Sequence, residues 1–324
     1  MEFTLDFEKP VQELENQIEE LKHSSGNGVD FGPEIQALEQ KVKKLGKEIY
    51  QNLTPWQRVQ LSRHPKRPHT TDYITHLIED FHELHGDRRF GDDPSLICGL
   101  GYLRGQKVCV VGIDKGTNTS DKIKRNFGMP RPEGYRKAIR VMEFATRFNI
   151  PVISFVDTPG AYPGIDAEER GQSAAIAENL ERLFGLKAPH ISLIIGEGGS
   201  GGALGIAIAD SVLMLEYSVY SVIAPESCAS ILWSDPKMAE QAANSLKLSP
   251  EKAYELSLID QIVEEPLGGA HRFRDETFQS VRETLLSEIE RLQGLSVQSL
   301  KEARFEKFRN MGNATLMNDE GGKS

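Results

Sequence analysis

The stretch GEGGSGGALG at 196–205 constrains the fold of this chain more than any other. An apolar run, HISLIIG at 190–196, leads straight into Gly198, Gly199, Ser200, Gly201 and Gly202, and the small-residue sequence ALGIAIA follows. Glycine raises the entropic cost of ordering wherever its freedom is not needed. Five glycines within eight positions therefore imply backbone that must approach something closely. At the start of a helix, bare N–H groups of this kind stabilise an anion or oxyanion; tight packing of helix on sheet is the plainer reading of the same glycines. Under either reading an apolar strand feeds a helix through a glycine turn.

The rest of the chain from about residue 95 repeats that unit. The β-like runs are SLICGLGYL, KVCVVGID, PVISFVD (151–157), HISLIIG (190–196), SVLMLEYSVYSVI (211–223) and DQIVEE (260–265). Helical patterns stand at 134–148, 167–184, 201–209, 225–233, 236–246 and 249–258, with one more amphipathic helix at 275–293. Strands apolar on both faces, joined by helices, predict an α/β layered architecture with largely parallel pairing. Residues 10–50 differ. Val11, Leu14, Ile18 and Leu21, then Ile35, Leu38, Val42, Leu45 and Ile49, recur at helical spacing on either side of a turn-rich stretch at 23–33, which predicts an antiparallel helical hairpin lying on the body or on a partner. The division expected is a hairpin over 1–52, one domain over 53–295, and a C-terminal extension and tail over 296–324, frayed from 312.

Composition narrows the function classes. Thirty-eight Lys and Arg stand against 48 Asp and Glu, a net charge of −10, which disfavours a global nucleic-acid footprint. Cys98, Cys109 and Cys228 show no CxxC spacing and read as three buried thiols in a reducing cytosol, and no apolar stretch is long enough to span a membrane. A cytoplasmic protein without a metal of its own is expected.

Several motifs compete for the glycine loop. Gly202 is followed by Ala203 and Leu204 rather than Lys and Ser or Thr, so a P-loop fails, and the dinucleotide fingerprint fits poorly. Gly198-Gly199-Ser200-Gly201-Gly202 does satisfy G-x-S-x-G, with Asp260 and His271 following in the order of a hydrolase triad, which makes a serine hydrolase the rival reading. DTPGAYPG at 157–164 leaves strand 151–157 as a second loop rich in Gly and Pro; its likeness to a GTPase switch has little weight without a P-loop. Both loops should line one crevice at the carboxyl ends of adjacent strands. Residues 122–140 carry seven basic side chains against one acid, Glu133, so that Lys124, Arg125, Arg136 and Lys137 are candidate contacts for an anion or an acidic partner; a solvated face is the plainer alternative. RHPKRP at 63–68 reads as a rigid basic loop.

These stretches, together with LDFEKP, RHPKRP, RNFGMPRPEGYRKA, AEERGQS, PESCASILW and PLGGAHR, occur in an order that resembles the carboxyltransferase α subunits of bacterial and plastid-type acetyl-coenzyme A carboxylase. The resemblance runs from about residue 3 to residue 272. It implies a crotonase-like (ClpP/crotonase) fold of repeated ββα units. It implies transfer of a carboxyl group from carboxybiotin, carried on the biotin carboxyl carrier protein, to acetyl-coenzyme A, giving malonyl-coenzyme A for fatty-acid synthesis. Biotin carboxylase and a β subunit bearing a zinc ribbon are the other implied partners, the latter in an α2β2 heterotetramer with the active site between chains; the lack of CxxC here agrees with that division.

By the same resemblance the backbone N–H groups of Gly201 and Gly202 form the oxyanion hole for biotin's ureido oxygen. Gly160, Ala161, Tyr162, Pro163, Gly164, Gly198, Gly199, Ser200 and Ala203 make up the surrounding binding loops. Ser200 is then a tight-turn residue rather than a nucleophile, and catalysis consists of positioning and electrostatic stabilisation. A third reading, a non-catalytic scaffold using the hairpin and the basic stretch, completes the set.

Overall fold

The structure, a computed structural model, describes residues 3–24 and 31–312. Helices α1 (Lys9–Ser24) and α2 (Gly32–Gln51) form the expected hairpin. Glu8, just ahead of α1, meets Tyr50 near the end of α2, and Lys22 near the end of α1 lies 3.1 Å from Glu39, so the two run antiparallel. Most of the turn expected at 23–33 falls outside the described residues, as does the tail beyond 312.

Two helices absent from the sequence reading follow. The first, α3 (Pro55–Ser62), opens on a reciprocal cap in which the Thr54 hydroxyl accepts the Gln57 N–H and the Gln57 side chain accepts the Thr54 N–H. The second is α4 (Thr70–Leu77). The order then runs β1 (Glu79–Glu83), β2 (Leu96–Leu103), β3 (Gln106–Ile113), α5 (Thr119–Lys124), α6 (Pro132–Thr146), β4 (Val152–Thr158), α7 (Ile165–Glu169), α8 (Gln172–Phe184), β5 (His190–Gly199), α9 (Ser200–Ala207), β6 (Ser211–Leu215), β7 (Val219–Ser221), α10 (Pro225–Trp233), α11 (Ala239–Leu246), α12 (Pro250–Glu255), β8 (Gln261–Val263), α13 (Arg274–Gln293) and α14 (Val297–Asn310). The helix expected over 167–184 is two, divided at Gly171 in the left-handed region (φ +81°), and the run 211–223 breaks into β6 and β7.

The strands lie in one sheet ordered β1-β2-β3-β4-β5-β6-β8, with β7 paired to the far end of β5. The β1-β2-β3 end is antiparallel, and every pairing from β3 onward is parallel. Every residue of β4 and of β5 is buried. Their alternate side chains feed two cores: Val152, Val156 and Ile194 face α6, α8 and α9, whereas Ile153, Phe155, Leu193 and Ile195 face α4 and α13. That double burial is why these runs read as continuously apolar, and it fixes register on both faces.

The C-terminal helix packs closely on this body. Arg304 of α14 is buried, pairing with Asp210 at 2.7 and 2.9 Å and donating to the carbonyls of Leu183 and Leu186. RHPKRP is an internal brace: buried Arg67 donates to the Ile195 carbonyl and holds both oxygens of buried Glu265.

Candidate active site

Parallel pairing of β4 with β5 sends the two loops out of the sheet side by side, with Thr158 opposite Gly198. The approach is close enough to require glycine. A β-carbon on Gly202 would lie 2.5 Å from the Ala161 nitrogen and the Gly160 carbonyl carbon, and one on Gly199 would lie 2.3 Å from the Pro159 oxygen. Thr158 ties its own loop by accepting the Gly160 N–H at 3.0 Å and donating to the Gly160 carbonyl at 2.8 Å. Both loops therefore meet in one crevice, as read from the sequence.

Ser200 begins α9 with φ +52°, a left-handed conformation that costs a side chain about 1–2 kcal/mol. That turn lets a fully buried strand swing abruptly into a helix. The first N–H groups of a helix have no intrahelical acceptor, so the amides of Ser200, Gly201 and Gly202 open α9 at the positive end of the helix dipole. Gly202 and Ala203 are buried, Gly201 is half-buried and Ser200 exposed. Gly201 has open space where a β-carbon would be, its nearest neighbour being Ile176 at 3.8 Å. Ser200 and Gly201 also border a cleft of about 350 Å3 lined by Leu204, Tyr220, Val222, Leu258 and Phe308.

On the opposite loop, Tyr162 folds its ring over Gly164, where a β-carbon would lie 2.3 Å away, and the Arg131 guanidinium stacks 4.9 Å from the ring centre. Pro163 is exposed. The loop is stitched to RNFGMP: the Tyr162 N–H donates to the Pro130 carbonyl, and buried Gln172 donates to the carbonyls of both Pro130 and Tyr162.

Beneath the loops lies an ion network that the sequence reading missed. Lys115, just past β3, places its ammonium 2.7 Å from Asp157 in β4 and 2.5 Å from Glu197 in β5. Glu197 also pairs with Arg63 at 2.6 Å, and Arg63 continues to Glu226. Against the upward push of burial, Lys115 holds the Asp157 and Glu197 carboxyls below their ordinary range. Burial alone would lower the Lys115 ammonium, but the two carboxylates raise it, so all three stay charged.

The basic stretch departs from expectation. Lys137 is fully buried, its ammonium 2.6 Å from Asp92 and 2.8 Å from the Asp93 carbonyl, so it contacts neither a ligand nor a partner. Arg136 is taken up by Asp87, Glu133 and the Arg170 carbonyl, and Arg125 by Asp121, Asp114 and the Pro94 carbonyl. Lys124, in contrast, is exposed. Two of these side chains, Arg136 and Lys137, pair with acids 49 and 45 positions earlier in the chain, Asp87 and Asp92, which a local charge count does not see.

The hydrolase triad does not assemble. His271 sits 3.1 Å from Glu8 and stacks on His64, whereas Asp260 is held by Lys307 at 2.6 Å and accepts the Val212 N–H at 2.7 Å. Ser200 has neither as a partner. Glu8, His64 and His271 bring ligand-type atoms within 4.8 Å of one another. Each of the three residues has a hydrogen-bond partner: Glu8 accepts from Tyr50, His64 Nδ1 accepts the Lys66 N–H at 3.1 Å, and His271 Nε2 lies 3.1 Å from Glu8. All three cysteines are buried and free.

Residues 4–312 match the family described as acetyl co-enzyme A carboxylase carboxyltransferase-like. The chain is 54% identical to the acetyl-coenzyme A carboxylase carboxyl transferase subunit alpha of Geobacter metallireducens, over 96% of this chain and 98% of that one. It is 53% identical to the protein of the same name from Thermus thermophilus, over 95% and 98%. Among solved structures, a Pseudomonas malonate decarboxylase hetero-tetramer in complex with coenzyme A matches with a TM-score of 0.54 at 18% identity, over 72% of this chain and 93% of that one. Transcarboxylase 12S matches with a TM-score of 0.56 at 18% identity; the match takes in 69% of this chain but only 41% of the transcarboxylase chain. These likenesses establish the crotonase-like fold.

Proposed function

The chain belongs to the acetyl-coenzyme A carboxylase carboxyltransferase family, as its α subunit, and from that premise we propose that its two glycine loops hold and activate the carboxyl carrier during transfer to acetyl-coenzyme A. The activity is that of a carboxyl transferase, which displaces both the serine-hydrolase and the scaffold readings. The observation that carries the assignment of the site is the seating of Gly202 against Gly160–Ala161, which brings the opening of α9 against the neighbouring loop where no side chain fits between them.

The family is biotin-dependent, and the donor set suits biotin. When bound through its carrier protein, biotin supplies the ureido group on which the carboxyl group travels. The Gly201 and Gly202 N–H groups, at the N-terminus of α9, would donate to the ureido oxygen and stabilise negative charge there; one such donor is worth about 3 kcal/mol in other enzymes. The apolar cleft beside Gly201, with Leu204 and Tyr220 on its wall, would hold the apolar part of biotin. Ser200 supplies the turn and no nucleophile.

The rest of the reading is a β subunit with a zinc ribbon completing the site in an α2β2 assembly, a biotin carboxyl carrier protein and biotin carboxylase as further partners, and a cytoplasmic location, which three buried free thiols support. None of the helices among the described residues is long and apolar enough to cross a membrane. Carboxyl transfer from malonyl-coenzyme A to a biotin derivative, measured with this chain alone and with a β subunit, tests the reading. Activity only in the mixture is expected; activity in the chain alone would place the whole site within it and refute the division.

A further inference from the structure

The network under the crevice has a geometry that packing alone does not require. Strands β3, β4 and β5 are neighbours in the parallel part of the sheet. Three charged side chains from their carboxyl ends converge: Lys115 just past β3, Asp157 in β4 and Glu197 in β5. Asp157 directly precedes the loop containing Gly160 and Ala161, and Glu197 directly precedes the loop containing Gly201 and Gly202.

The two carboxylates are coupled through backbone as well as through the ammonium. Asp157 Oδ1 accepts the Glu197 N–H at 2.9 Å and occupies the place of a β-carbon on Gly196, which would lie 2.4 Å from it. His69 approaches the other Asp157 oxygen at 3.3 Å, and Arg63 takes the other Glu197 oxygen at 2.6 Å. The Lys115 stem is capped by Gly128: a β-carbon there would lie 2.6 Å from Lys115 Cγ, and the backbone from Asn126 to Gly128 runs through positive φ to pass over it.

We propose that Lys115 is a positioning residue for carboxyl transfer: by joining Asp157 to Glu197 it fixes the distance and orientation of the two glycine loops and so pre-forms the backbone oxyanion site. This rests on the function proposed above. Lys115 touches no reacting atom. It acts on the roots of both loops, where a small displacement is carried into the N–H groups, and displacement of about 1 Å at a reacting centre can lower a rate by a factor of about 100. Removing it leaves Asp157 and Glu197 side by side with only Arg63 and His69 to hold them, and their repulsion pushes the loop roots apart.

The test uses the full chain assembled with its β subunit, in three variants: Lys115→Met, Lys115→Arg and Asp157→Asn. The last keeps an oxygen acceptor for the Glu197 N–H while removing the charge that Lys115 grips, and guards against failure of Lys115→Met to fold. Amide hydrogen exchange of peptides covering 158–164 and 198–203 is measured alongside kcat and KM for transfer between malonyl-coenzyme A and a biotin derivative. Expected are exchange at least tenfold faster in both loop peptides with the α13 peptide unchanged, kcat at least tenfold lower with KM for malonyl-coenzyme A within twofold, and partial recovery in Lys115→Arg. Folded variants with unchanged loop exchange and unchanged kcat would overturn the proposal. Loss confined to melting temperature, with kcat intact at a permissive temperature, would also overturn it by showing a merely structural role. Loosened loops in an assembly whose wild type transfers no carboxyl group would support the positioning role and refute instead the functional reading on which it rests.

Discussion

Gly202 stands so close to Ala161 that a β-carbon on the glycine would fall 2.5 Å from the alanine's amide nitrogen, whereas Gly201, one residue earlier, has nothing nearer than 3.8 Å at the same position. Two adjacent glycines in one motif thus meet different constraints. Gly202→Ala must push backbone against backbone, and overpacking of this kind costs about 1–3 kcal/mol; a lower melting temperature and a large loss of kcat are expected. Gly201→Ala should melt as the wild type does. Equal destabilisation of the two variants in thermal melts would show that the loops do not meet as described.

Ser200 has the positive φ of a strained turn but no base. Ser200→Ala should therefore retain carboxyl-transfer activity within a few-fold, and a fluorophosphonate probe should leave the wild-type chain unlabelled. A labelled Ser200, or an alanine variant that folds and is inactive, would restore a nucleophilic role. Ser200→Gly relieves the left-handed strain but adds chain entropy of similar size, so its stability should change by less than about 1 kcal/mol.

The contrast between these loops and the network below them shows what a sequence makes visible. Strands such as PVISFVD and HISLIIG are legible because both faces are buried and all positions but Asp157 and His190 are apolar or small. Glycine loops are legible because glycine is costly where it is not needed. Strand β1, EDFHE, was not legible: it is an edge strand with exposed charges and carries no periodic apolar signal. Lys115, Asp157, Glu197 and Arg63 are each unremarkable locally and become a site only through the pairing of β3, β4 and β5. For the same reason Lys137 read as a surface charge although Asp92 and the Asp93 carbonyl hold it inside.

That misreading supplies its own test. Lys124→Glu changes an exposed side chain and should leave the melting temperature within a degree or two. Lys137→Glu places a carboxylate in a buried site already facing Asp92 and should prevent stable folding, since breaking a buried pair costs about 3–5 kcal/mol even without added repulsion. Similar melting curves for the two variants would mean that Lys137 is solvent-accessible after all.

Helix α14 is anchored by one buried pair, and the cost of losing it should appear as a partial unfolding. Arg304→Met strands Asp210 without its guanidinium and frees the Leu183 and Leu186 carbonyls; a loss of about 3–5 kcal/mol is expected. Adding Asp210→Asn removes the unpaired charge and should restore part of that loss. If the double variant is no more stable than the single one, the cost lies in the lost carbonyl contacts rather than in the charge.

Acid stability should be governed in part by two buried histidines. Burial, with the neighbouring His271, pushes His64 down to about 4, and burial, with Arg304 nearby, pushes His190 down to about 3. An unfolded histidine titrates near 6.5. Between about pH 6.5 and 4 the unfolded chain therefore binds protons that the folded chain refuses, so the stability due to both groups is fully present above 6.5 and is lost as pH falls through that window. Each group contributes up to one proton to the slope of unfolding free energy against pH, so near pH 5 the two together contribute close to two. His64→Gln should be less stable at pH 7 yet show a slope near pH 5 shallower by about one proton, as should His190→Gln; urea titrations from pH 7 to 4.5 measure both. An unchanged slope in His64→Gln would mean that His64 is already protonated in the folded protein, with its charge held by Glu8 rather than excluded by burial.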